Sequence, residues 1–133
     1  MSSTVLVVDD DALVRAAAEV ILTKNGWAVR TAPDGEAALE AIAVEPAATV
    51  LLDILMPRKE GLETLIELRR TCPTITVVAM SGSLVRQRND FLAIAVKFGA
   101  DSILRKPFTP ESLLAAVESG MAHRAQAIRT AHA

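Results

Sequence analysis

Short apolar runs alternate along the chain with longer stretches in which apolar residues recur every three or four positions. Five short runs are bounded by turn residues and are predicted as buried parallel strands, at about residues 4–9, 28–31, 48–53, 75–80 and 102–105. A helix is predicted after each strand, and Thr109-Pro110 marks the start of the fifth. Alternating strands and helices predict a parallel sheet covered on both faces.

The apolar spacing also predicts the inward faces of the helices. Gly26 is expected to end the first helix and Gly99 the fourth, because glycine tolerates the left-handed backbone at a helix end. The predicted inner residues are Leu13, Ala17, Val20 and Ile21 in the first helix, Leu62, Leu65 and Ile66 in the third, and Leu113, Leu114, Val117 and Met121 in the fifth.

Right-handed crossovers leave few ways to wind five strand–helix units. The flavodoxin-like strand order 2-1-3-4-5 makes strands one and three neighbours where the order reverses. The expected fold is therefore an α/β, doubly wound, five-stranded parallel sheet of this order. The length of 133 residues suits one domain, taken as residues 1–122, with 123–133 as a tail or an extension of helix five.

Polar side chains stand at the ends of four predicted strands. Asp9 and Asp10 follow strand one, Asp53 ends strand three, Ser81 follows strand four and Lys106 follows strand five. Ligands of open α/β sheets bind beyond the carboxyl ends of the strands, so these groups are expected to converge. Three carboxylates, a hydroxyl and an ammonium suit a divalent cation and a phosphoryl group. A carboxylate such as Asp53 can act as a nucleophile toward phosphorus.

Two neighbouring residues have simpler interpretations. Asp11 is expected to cap the first helix, a position where Asp is preferred. The Lys106-Pro107 bond is expected to be cis, because X-Pro bonds adopt that form at modest cost.

Composition and charge exclude several classes of protein. Apolar residues make up 51% of the chain, which argues against disorder. The net charge of −2 gives no reason to expect a nucleic-acid partner, and no apolar stretch is long enough to predict a membrane span. The single cysteine, Cys72, cannot form an internal disulfide, which favours a reducing, cytoplasmic location.

Several motifs together resemble the receiver domain of two-component response regulators, over about residues 4–120. Each motif is weak alone, but their order and spacing are specific. They are Val7-Val8-Asp9-Asp10, Asp53-Ile54-Leu55-Met56-Pro57 with Gly61 after it, Met80-Ser81-Gly82, and Gly99-Ala100-Asp101 leading to Lys106-Pro107-Phe108.

This resemblance implies a role for each site residue. Asp53 would be the phosphoacceptor, and Mg²⁺ would be held by Asp9, Asp10, Asp53 and the backbone carbonyl of Leu55. Ser81 would occupy the position of the switch hydroxyl, and Lys106 that of the phosphate-binding lysine.

The resemblance also implies partners. The phosphoryl group would come from a histidine kinase or a histidine phosphotransfer protein, and output would pass to a downstream protein. Such a module is not an enzyme in the usual sense, because it catalyses only its own phosphorylation and dephosphorylation.

The sequence departs from the family pattern at two places. Ile103 occupies a position that is commonly aromatic in the family, and the chain contains no tyrosine. The segment from Ser81 to Gly99 is longer than usual. Because Ile103 is smaller than an aromatic ring and stiff at χ1, a smaller response to phosphorylation is expected there, and a larger one in the loop Ser83–Asn89.

Alternatives to a stand-alone receiver remain at this stage. One is a receiver cut from a longer regulator. Another is a phosphohydrolase of the aspartyl-phosphate type, for which Asp9 and Asp11 offer a nucleophile and acid two residues apart. A flavin or nucleotide module is disfavoured, because Asp9-Asp10-Asp11 would repel phosphate without a metal.

Overall fold

The chain forms five strands and five helices in strict alternation. The computed structural model describes residues 3–54, 60–82 and 89–131. Each strand lies within two residues of its predicted bounds. The elements are β1 (Thr4–Val8), α1 (Ala12–Lys24), β2 (Ala28–Ala32), α2 (Gly35–Val44), β3 (Thr49–Asp53), α3 (Glu60–Thr71), β4 (Thr76–Gly82), α4 (Asn89–Lys97), β5 (Ser102–Lys106) and α5 (Pro110–Ala131).

The strands form one parallel sheet in the order β2-β1-β3-β4-β5, which confirms the predicted fold. β1 lies between β2 and β3, with Val8 beside Ala32 of β2 and Leu52 of β3. β1 and β3 are therefore adjacent, and the residues that follow them meet at one edge of the sheet.

The three inner strands β1, β3 and β4 are buried on both faces, and their side chains alternate between the two faces. The edge strands β2 and β5 were also predicted to be buried, but each buries only one of its five residues. Leu6 and Val8 face one layer, which contains buried residues of α2, α3 and α4. Val5 and Val7 face the other layer, which contains buried residues of α1 and α5. The near-continuous apolar strands are explained by this double cover.

The predicted buried faces of three helices were partly wrong. Leu13 and Val20 of α1 are 80% and 55% exposed, Ala17 is also exposed, and the helix instead buries Ala18 and Leu22. Most α1 positions are apolar, so the sequence defines no single stripe, and only the side toward the sheet is covered. Similar errors at the margins of α3 and α5 concern Ile66 and Met121, which are exposed.

The predicted signals at the ends of helices are confirmed. The Asp11 side chain accepts a hydrogen bond from the Leu13 amide at 2.9 Å and caps α1. At α5, Thr109 and Ser112 bond each other's backbone N–H through their hydroxyls. Gly26 and Gly99 have positive φ values, as their places after α1 and α4 require. The Lys106-Pro107 bond is cis.

Helix α5 extends beyond the predicted domain boundary at residue 122. Its 22 residues continue past Ala122 to Ala131, through the segment set apart above as a tail or helical extension. No helix within the described residues is long and apolar enough to cross a membrane.

Candidate metal and phosphoryl site

Three carboxylates meet at the carboxyl edge of the sheet, as the strand order requires. Asp9 follows β1, and Asp53 is the last residue of the adjacent β3. Carboxylate oxygens of Asp9, Asp10 and Asp53 all lie within 4.8 Å of one another. Asp9 and Asp53 are buried, whereas Asp10 is exposed to solvent. Oxygen atoms this close suit a hard divalent cation that keeps some of its water.

Lys106 joins two of these carboxylates. It ends β5, and its Nζ lies 2.9 Å from Asp9 Oδ2 and 3.3 Å from Asp53 Oδ2. Burial alone lowers the pKa of the ammonium, but the hydrogen bonds and negative charges of Asp9 and Asp53 outweigh it. The pKa of Lys106 therefore lies above its ordinary value of 10.5, and the group is charged at neutral pH. The three carboxylates and this ammonium still leave a formal charge of −2.

The loop that carries Asp9 and Asp10 is held by its own side chains and by α1. Asp9 Oδ1 accepts a hydrogen bond from the Asp11 amide at 2.9 Å. Arg15 Nη1 donates to the carbonyl oxygen of Asp9 at 2.6 Å. The contact of Arg15 was not predicted from the sequence. The available signal was a basic residue near the start of a helix, where the helix dipole disfavours a cation.

Ser81 lies beside the cluster but does not bond to it. It is buried in β4, one residue beyond the partner of Asp53 in the sheet register. Its hydroxyl donates to the carbonyl of Gly82 at 3.2 Å. The structure thus places this hydroxyl at the expected edge, engaged with a backbone acceptor.

Two predicted features fall outside the described residues. These are the backbone carbonyl of Leu55, expected as a metal ligand, and most of the loop Ser83–Asn89, which was expected to respond to phosphorylation. Ile103 is described and is 39% exposed on β5, at the edge of the sheet.

Gly61 brings α3 close to the end of β3. A Cβ atom at this position would lie 2.3 Å from the carbonyl oxygen of Asp53 and 2.4 Å from the Cα of Ile54. Both contacts are with backbone, which cannot move aside without displacing Asp53. The glycine after the Asp53 motif is therefore explained by packing.

The fold and this edge define the class of protein: a doubly wound α/β domain with an acidic cluster and a lysine where the strand order reverses. The sequence profile of the response regulator receiver domain matches residues 5–118. The chain belongs to this family, whose members are signalling modules.

Known proteins of the family are similar over most of the chain. Response regulator MprA from Mycobacterium ulcerans (strain Agy99) is 39% identical over 115 residues, which are 86% of this chain and 48% of that protein. This chain therefore spans about half the length of the curated relatives it matches.

Solved structures of receiver domains are similar to this chain over most of its length. The receiver domain of NtrX from Brucella abortus has a TM-score of 0.82 and 32% identity, covering 89% of this chain and 98% of that one. A CheY-like receiver domain protein from Methanospirillum hungatei JF-1 has a TM-score of 0.81 and 25% identity, covering 95% and 98% of the two chains.

Proposed function

We propose that this domain accepts a phosphoryl group on Asp53, with Mg²⁺ bound by Asp9, Asp10 and Asp53. The donor is a phosphohistidine of a histidine kinase or a histidine phosphotransfer protein. The observation that carries the proposal is the position of Lys106 Nζ, which contacts Asp9 and Asp53 within a cluster of three carboxylates. The formal charge of −2 left in this cluster matches a divalent cation.

Transfer forms one P–O bond at an Asp53 carboxylate oxygen and breaks the P–N bond of the donor, whose imidazole leaves with the bonding pair. Mg²⁺, when bound, neutralises charge on the transferring oxygens. Lys106 is already shared between two carboxylates, so its ammonium can turn from Asp53 to a phosphoryl oxygen while it keeps its bond to Asp9.

In this proposal Ser81 supplies a second hydrogen-bond donor to the phosphoryl group, besides Lys106. Its hydroxyl bonds only the Gly82 carbonyl within the described residues, and a phosphoryl oxygen is a stronger, charged acceptor. Exchange of one partner for the other links phosphorylation to the backbone after β4. A downstream protein that recognises this change would receive the signal, in the cytoplasm where the donor acts.

The phosphohydrolase alternative is disfavoured by the position of Asp11. That mechanism needs a free carboxyl group two residues after the nucleophile. The Asp11 side chain instead accepts a hydrogen bond from the Leu13 amide and caps α1, and it is not part of the carboxylate cluster.

Intact-mass spectrometry after incubation with acetyl phosphate and MgCl₂ tests the assignment. Wild-type protein is expected to gain one phosphoryl group, and Asp53→Asn none. The matched control is Asp11→Asn, which keeps a good helix cap and should be labelled like wild type. An equal mass gain in Asp53→Asn would refute the role of Asp53. Steady release of phosphate from p-nitrophenyl phosphate would favour the hydrolase.

A further inference from the structure

The carboxylate of Asp10 is the member of the cluster without a side-chain partner among the described residues. It is exposed, and no hydrogen bond to it is seen in the part of the chain that the structure describes. Its oxygen nevertheless lies within 4.8 Å of those of Asp9 and Asp53. The backbone on either side determines the direction of the Asp10 Cα–Cβ bond, and with it the region that this carboxylate can reach.

Both peptide groups that flank Asp10 are held. The Asp9–Asp10 peptide contributes the Asp9 carbonyl, which accepts from Arg15 Nη1 at 2.6 Å. The Asp10–Asp11 peptide contributes the Asp11 N–H, which donates to Asp9 Oδ1 at 2.9 Å. Because each peptide group is planar, a hydrogen bond to one atom in each restricts rotation about the bonds on both sides of the Asp10 Cα.

Arg15 makes this contact at the less favourable end of its helix. It is the fourth residue of α1, near the end where the helix dipole repels cations, and the negative charge nearby in the sequence comes from Asp9, Asp10 and Asp11 before the helix. Arg30 offers a contrast. It donates to the carbonyls of Ala41 and Glu45 at the carboxyl end of α2, where a cation is favoured. Ordinary helix capping explains Arg30 but not Arg15.

We propose that Arg15 is a positioning residue for the metal site. By holding the Asp9–Asp10 peptide, its guanidinium directs the Asp10 carboxylate toward Asp9 and Asp53. Where it concerns Mg²⁺, this inference rests on the proposed function.

The direction in which Mg²⁺ affinity changes on replacement of Arg15 distinguishes a positioning role from an effect of its charge. Arg15 is a cation close to a cation site, so its charge alone weakens Mg²⁺ binding, and its removal would tighten binding. Positioning predicts the reverse. Calorimetric titration should show Arg15→Met binding Mg²⁺ about tenfold more weakly, as is typical when a group that orients a metal ligand is removed. Arg15→Lys keeps one donor and should lose less.

Arg30→Met is the matched control. It also removes an arginine that binds backbone carbonyls, at a site away from the cluster, so Mg²⁺ affinity should equal that of wild type. Unchanged or tighter binding by Arg15→Met would overturn the inference.

A second measurement needs no metal. In metal-free protein, amide exchange at Asp11 should lose protection in Arg15→Met and keep it in Arg30→Met, because the Asp9–Asp11 loop loosens only in the first. Retained protection would also overturn the inference. Wild-type protein that binds no Mg²⁺ would refute the metal part of the proposed function instead, and the exchange result would still decide the role of Arg15.

Discussion

In the metal-free site, Lys106 balances part of the negative charge of the carboxylate cluster. Without it, the buried carboxylates of Asp9 and Asp53 would lose the ammonium that lies 2.9 Å from one and 3.3 Å from the other. The pKa of Lys106 reflects this balance: burial lowers it, and the two carboxylates raise it by more. The lysine therefore has a structural role before any phosphoryl group arrives.

Replacement of Lys106 by Met should destabilise the metal-free protein near neutral pH. The expected loss is about 3 kcal/mol, the low end for breaking a buried ion pair, because the side chain is 18% exposed. Since the folded pKa lies above 10.5, this contribution is complete below pH 10.5 and is lost as the pH rises through the folded value.

Urea unfolding of wild type and Lys106→Met across neutral and alkaline pH measures this difference. Lys97→Met, at an exposed lysine on α4, is the control and should change little. A difference that disappears well below pH 10.5 would contradict the expected titration.

At the scale of elements, Asp101 connects three parts of the fold at the opposite edge of the sheet. Its buried carboxylate accepts from the Val77 amide of β4 at 2.9 Å and from Arg69 of α3 at 3.0 Å. It also accepts from Arg124 of α5 at 2.9 Å and lies 2.8 Å from His123 Nδ1. Burial lowers the pKa of Arg69, and the charge of Asp101 only partly offsets this.

Asp101→Asn should therefore cost about 3 kcal/mol or more, because two guanidinium groups lose their shared carboxylate. Amide exchange should show the loss first in the C-terminal half of α5, which Arg124 and His123 attach to the body. Asp34→Asn is the control, since Asn caps α2 as well as Asp does. Wild-type stability in Asp101→Asn would show that the ion pairs add nothing.

The sequence predicted elements better than contacts between them. Strand bounds followed from short apolar runs, and the strand order followed from the right-handed crossovers of doubly wound folds. The meeting of Asp9, Asp53 and Lys106 followed from that order and from their positions at strand ends. The buried face of α1 did not, because an Ala-rich helix has apolar residues on every side. The contacts of Arg15 and Asp101 were also missed, since long side chains reach partners that sequence spacing does not define.

At the scale of the whole molecule, the two edges of the sheet differ in charge balance. At the carboxyl edge, three carboxylates share one lysine in the described structure. At the other edge, one carboxylate is shared by two arginines. If Mg²⁺ fills the first edge as proposed, it binds the folded state and not the unfolded chain, and so it stabilises the fold.

Mg²⁺ should accordingly raise the Tm of the wild-type protein. At a hundred times the Kd the gain is about 2.7 kcal/mol, which amounts to roughly ten degrees for a domain of this size. Asp10→Asn should show a smaller rise, and its metal-free Tm should equal or exceed that of wild type because one repelling charge is gone. Differential scanning calorimetry measures both. An identical rise in the two proteins would exclude Asp10 as a ligand.

The hydrogen bond from the Val77 amide to Asp101 has a consequence for the evolution of this domain. Val77 and Ser81 lie on the same strand, about 13 Å apart at the usual rise per residue, and substitutions separated by such a distance usually have independent energies. Mutations at the Asp101 edge that change the free energy of unfolding therefore need no compensating change at Asp53. Selection can thus change the stability of the fold and the chemistry of the carboxylate cluster as two separate traits.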